Sequence, residues 1–110
     1  MATDDLTADA NTLIQFWELP SVVAYKGSSV TAVQRLVIVY VQVTADDAGD
    51  YVDLNDVMPG GSVTIICDLG RAGASAQDAT YTTWSSDRLT FANNAGSSEI
   101  NRAVVLAYCA

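Results

Sequence analysis

The chain has 110 residues, half of them apolar, with thirteen acids against five bases, no histidine and a net charge of −8. That length gives one domain with a core of its own, and the composition excludes a disordered chain. The acidity argues against nucleic acid and against anionic membrane surfaces as partners, because both are bound by clustered Lys and Arg. The five bases, Lys26, Arg35, Arg71, Arg88 and Arg102, are scattered singly.

Residues 1–10, MATDDLTADA, are small and acidic and read as a flexible arm. No basic stretch followed by an apolar run opens the chain, so no secretion signal is read. The stretch NTLIQFWELP follows. Its spacing also fits a short helix, but Pro20 biases Leu19 away from helical backbone, so an extended segment is expected. Leu13, Ile14, Phe16, Trp17 and Leu19 make this an apolar anchor at the end of the arm. Such an anchor staples the arm to its own domain or docks it on a neighbour, and tryptophan favours the centres of interfaces. These five residues are the candidate partner-binding set. The expected division is an arm over 1–20 and a single β domain over 21–110.

SVVAY (21–25) is a short strand candidate, closed by KGSS. From Gln34 to Thr44 seven of eleven residues are apolar, and Val37, Ile38, Val39, Val41 and Val43 are β-branched. Odd positions form one face and even positions the other. The first half is apolar on both faces, the pattern of a central strand that emerges at one edge of the domain. ADDAGD (45–50) is a turn in which Gly49 is free to take positive φ. YVDL (51–54) is a short strand. NDVMPGG (55–61) is a loop that has room for one helical turn, and SVTIICDL (62–69) is a further strand.

GRAGASAQD (70–78) is rich in small residues and reads as an exposed loop. ATYTTW (79–84) and RLTFAN (88–93), joined by Ser85-Ser86-Asp87, read as a hairpin. NAGSSE is a turn. INRAVVLAYCA also fits helical spacing, but Val104 and Val105 are β-branched and few residues remain to cap a helix, so a final strand is expected. The sum is an all-β chain, an antiparallel β-sandwich or small barrel of seven or eight strands with an extended N-terminal arm.

Little chemistry is legible. Without histidine, Ser-His-Asp and Cys-His arrangements cannot be built within one chain. Lys26, the lone lysine, sits beside a Gly-Ser segment with nothing to desolvate it. Asp46, Asp47, Asp50, Asp53 and Asp56 lie in or beside turns, where aspartate bonds to local backbone. Their density leaves a weak calcium site open, although the spacing is not that of an EF-hand, and paired carboxylates for glycoside hydrolysis are the other reading. Cys67 and Cys109 each end an apolar run and read as small buried hydrophobes in neighbouring strands, with a disulfide left open. No cofactor, metal or catalytic set is expected, and the chain is read as not an enzyme. Tyr25, Tyr81 and Trp84, aligned on one exposed face, would instead make a sugar-stacking platform.

The middle of the chain, RLVIVYVQVTADDAGDYVDLNDVMPGGSVTIICDLG, resembles the small structural proteins of tailed phages that decorate or cement capsid shells, and related head-fibre bases. The shared pattern is a long apolar strand, an acidic glycine turn, a G-D-x-V-D-L segment (49–54), then a glycine turn and another strand. The end, SEINRAVVLAYCA, is similar to the last strand of such proteins. The resemblance implies a non-enzymatic β protein of the virion, made in the host cytoplasm. Its partners would be the major capsid protein or another shell protein, and it would form a homo-oligomer, trimer or dimer. No site residue carries over from it. The alternative is a carbohydrate-binding β-sandwich module.

Overall fold

The structure, a computed structural model, describes residues 5–19, 25, 27–29, 35–45, 49–58, 62–72, 83–91 and 99–109. The strand candidate at 21–24, Lys26, Asp46, Asp47, Tyr81 and the turns at 59–61 and 92–98 lie outside the described residues.

Among the described residues, seven strands form two antiparallel sheets. They are β1 (Leu13–Glu18), β2 (Arg35–Ala45), β3 (Tyr51–Asp53), β4 (Val63–Ala72), β5 (Thr83–Ser85), β6 (Arg88–Thr90) and β7 (Glu99–Cys109). One sheet has the order β1-β2-β7-β4 and the other β3-β6-β5, so the described strands form no closed barrel. A 3-10 turn over Leu54–Asp56 supplies the single helical turn that the sequence allowed. No described helix is long and apolar enough to cross a membrane.

The register of the central pair explains the core. β2 and β7 pair along eleven residues, from Arg35 opposite Cys109 to Ala45 opposite Glu99. Opposed residues point to the same face, so the odd positions of both strands turn inward together. Val37, Val39, Val41 and Val43 are fully buried against Ala103, Val105, Ala107 and Cys109. β4 adds Val63 and Ile65, and the second sheet adds Val52, Leu54, Leu89 and Phe91. Burying each such side chain contributes about 1.5–3 kcal/mol. The alanines opposite the valines leave room for Phe91 and the leucines between the sheets. A polar exception in this row is Asn101, buried at its end, whose side-chain nitrogen has no partner among the described residues.

Two sequence expectations are corrected at their edges. Gly70, Arg71 and Ala72 belong to β4 and not to an exposed loop. Register shifts between Ile65 and Cys67 and between Asp68 and Gly70 let this edge strand bend and run on. The small residues that suggested a loop are tolerated because β4 needs side chains on one face only. The β5–β6 hairpin turns on two residues, Ser86 and Asp87, because Ser85 already pairs with Arg88. Ser86 takes φ 55°, the positive value that two-residue hairpins require. Gly49 meets the same need in its own turn, at φ 95°.

The N-terminal segment laces the two sheets. Asp5 bridges Tyr51 in a parallel pairing, and Leu6 N donates to Tyr51 O at 2.8 Å. Asp53 N donates to Thr7 Oγ1 at 2.8 Å, and Thr12 Oγ1 donates to Leu6 O at 2.7 Å. A few residues later β1 joins the other sheet beside β2. Leu6 is buried in the common core, so the described part of the acidic arm is held on the domain. The hairpin turn laces them again: Ser86 O accepts from Ile65 N at 2.8 Å and Asp87 O from Leu54 N at 3.1 Å. A Leu6→Ala variant is expected to lose about 2–4 kcal/mol of stability. Urea unfolding measures this, and an unchanged midpoint would show that the segment is not part of the core.

Candidate protein-binding surface

Strand alternation splits the five candidate anchor residues between two faces. Ile14 and Phe16 turn inward and pack half-buried against the core. Leu13 and Trp17 turn outward and stay 43% and 51% exposed. Leu19 is exposed just past the strand, where its N–H donates to Leu36 O at 3.0 Å. All five are thus seated on the chain's own four-stranded sheet, with Leu13, Trp17 and Leu19 still open to a partner.

Trp17 does not stand alone. Its register partner is Ile38, which is opposite Leu106, which is opposite Cys67. The neighbouring rows run Leu36–Tyr108–Thr64 and Gln15–Tyr40–Val104. These side chains share the outward face of the sheet and are exposed or half-buried, with Leu36 at 40%. At one end the face closes on Leu13, Gln42 and Arg102, where Arg102 Nε donates to Gln42 Oε1 at 3.2 Å. Arg102 is the single charge along these rows, and no acid falls on them.

The even positions of β2 were legible as apolar, and a strand apolar on both faces is expected to be buried on both. Only the odd face is covered by the second sheet. The even face of β2 and its match on β7 form an open apolar surface, which the anchor motif Phe16–Trp17 signalled in part.

The other candidate chemistry disperses. Asp50 is fully buried, with its backbone O accepting from Phe91 N at 2.7 Å. Asp53 receives Arg88 Nε at 2.8 Å and Nη2 at 3.1 Å, while the Arg88 guanidinium lies 3.8 Å from the Tyr51 ring centre. Asp5, Asp53 and Asp56 bring carboxylate oxygens within 4.8 Å of one another, a grouping with metal-ligand spacing that the sequence placed partly in the arm. In it Asp53 is engaged by Arg88 and Asp5 Oδ1 by Thr7, through N at 3.0 Å and Oγ1 at 2.6 Å. Trp84 is opposite the buried Leu89 and shares its face, yet stays 40% exposed. Tyr25 is fully exposed.

No family model, curated protein or solved structure matches this chain.

Two measurements check the site's chemistry. The Thr7 hydroxyl and then the Thr7 N–H hold the Asp5 carboxyl below its ordinary value of about 3.9, against the opposing effect of burial and with a lesser contribution from the Arg88 charge. A depressed carboxylate stabilises the fold above its unfolded value, and that contribution is lost as pH falls through the folded one. Asp5→Asn is therefore expected to melt below the parent at neutral pH, with the difference shrinking as pH falls below the ordinary carboxylate range. A constant difference down to acid pH would refute the contribution.

Cys67 and Cys109 are free. Cys67 is opposite outward-facing Leu106 and Cys109 opposite inward-facing Val63, so the sheet itself separates them. Burial pushes the Cys109 thiol up and shields it. A thiol reagent at mildly alkaline pH is expected to modify Cys67 first and Cys109 only on unfolding. Equal mobility of the unfolded chain with and without reductant is the companion result.

Proposed function

We propose that this chain is a non-enzymatic structural protein that works by adhesion, and specifically a decoration or cement protein of a tailed-phage capsid. The observation that carries the reading is the outward face of the β1-β2-β7-β4 sheet, uncharged and mostly apolar in the rows between Leu36 and Tyr40, with Thr64 and Gln15 at its edges. Water-exposed apolar patches of this breadth mark interaction sites. An acidic chain with an acid-free apolar face suits a protein that adheres at one surface and stays soluble elsewhere. The sequence pattern of strand, acidic glycine turn, G-D-x-V-D-L and strand supports the capsid setting. On a shell, contacts that are weak one at a time add up through multivalency.

The test is co-sedimentation with tailed-phage heads stripped of their surface proteins. The expected result is binding that saturates at a fixed number of copies per head and raises the temperature at which heads lose their DNA. Trp17→Ser is expected to weaken binding by at least tenfold, in line with the enrichment of tryptophan among the residues that dominate interface energetics. Absence of binding, together with quenching of tryptophan fluorescence by a glycan panel, would replace this reading with a carbohydrate-binding module.

A further inference from the structure

We infer that the outward face of the four-stranded sheet is the contact between two copies of this chain, which pack sheet face to sheet face about a two-fold axis. The inference rests on the adhesive reading above and names a second copy as the occupant of that face in free solution, one that a shell surface would have to displace. Three observations favour a second copy.

The first is charge. Two molecules at −8 repel each other, so they can associate only through a surface that keeps carboxylates away from the contact. The rows led by Leu36, Trp17 and Tyr40 hold no acid on any of the four strands. The second is size. Seven residues of β2 across four strands, at about 3.3 Å per residue and 4.8 Å between strands, give a footprint on the order of 450 Å² per copy. Two copies then cover about 900 Å² before side-chain relief is counted, below the roughly 1,200 Å² of stable specific complexes and in the range of weak, transient contacts. The contact is therefore expected to be a reversible, concentration-dependent one.

The third is self-complementarity. A two-fold contact matches a patch to itself, and flat sheet faces pack with their strands aligned within about 30°. The one charge, Arg102, lies at the far end of the face from Tyr108, six residues along β7. With the strands of the two copies running in opposite directions, Arg102 falls over the partner's Tyr108, where a guanidinium finds an aromatic face. The two arginines are then kept at opposite ends, and the apolar rows meet in the middle.

The experiment is analytical ultracentrifugation of the full chain over a wide concentration range. Beside it run Trp17→Lys and Leu36→Lys on the face, and Val57→Lys as a control at an exposed apolar residue that follows the 3-10 turn, off the four-stranded sheet. All three positions are exposed, and circular dichroism melts confirm folding. The expected result is a monomer–dimer equilibrium with a dissociation constant on the order of 10 µM, the affinity range of small interfaces. Each face variant is expected to raise that constant at least tenfold, while Val57→Lys leaves it unchanged. A wild-type chain that stays monomeric to about 1 mM overturns the inference, as does a dimer that both face variants leave intact. A monomer that still binds phage heads, and loses that binding with Trp17→Lys, overturns self-pairing alone and leaves the adhesive function standing.

Discussion

The eleven-residue antiparallel pairing of β2 with β7 is the constraint on which the rest of the fold depends. A one-residue slip in either strand would turn its whole buried set outward. In the observed register the β2 valines meet the small inward residues of β7, and the space between the sheets fits Phe91, Leu89 and Leu54. β1 and β4 take their register from this pair, one on each side. The bulges of β4 bend the edge strand and disturb the row of backbone groups it shows to solvent, a feature that discourages edge-to-edge pairing.

The second sheet has three-residue strands, too short to be stable alone. It is held from both sides of its hairpin turn and by the N-terminal segment. Leu6 enters the core beside Val52 while Thr7 receives the Asp53 N–H, and β1 then continues onto the opposite sheet. Asn55 Oδ1 accepts from Val63 N at 2.6 Å, and Asn55 N donates to Asp87 Oδ2 at 3.0 Å. The Arg88 fork on Asp53, stacked over Tyr51, closes the same end. Of the acids that invite a catalytic or calcium reading from their density, Asp53 is engaged in this joinery and Asp50 is buried, while Asp46 and Asp47 lie outside the described residues. Asp53 and Asp87 hold the small sheet together, and Asp5 caps its own turn.

The four-stranded sheet therefore has two apolar faces and one internal partner. Its inner face meets the small sheet, and its outer face is left with leucine, isoleucine, tyrosine and tryptophan in register. This division links fold to proposed role. A sheet that buries one face to fold and keeps the other apolar has a surface ready for a second molecule. The absence of acids from that surface, in a chain so rich in them, allows the approach.

Period-two alternation, β-branched runs and turn chemistry determined much of this protein from the sequence alone. The all-β class, the strand at 35–45, the extended segment ending near Leu19, the short strand at Tyr51 and the final strand were all legible. So was the grouping of Val37, Val39, Val41 and Val43 on one face of that strand, because these signals are local. Where a residue's role depends on what lies across from it, the sequence was mute. It could not show that Leu6 enters the core, that Ile14 and Phe16 part company with Leu13 and Trp17, or that Cys67 and Cys109 lie on opposite sides of one sheet. Nor could it show that the even face of β2 stays open, because a strand apolar on both sides reads the same whether its second partner lies in the chain or outside it. Those outcomes follow from non-local register and from which sheet covers which, and only the tertiary structure decided them.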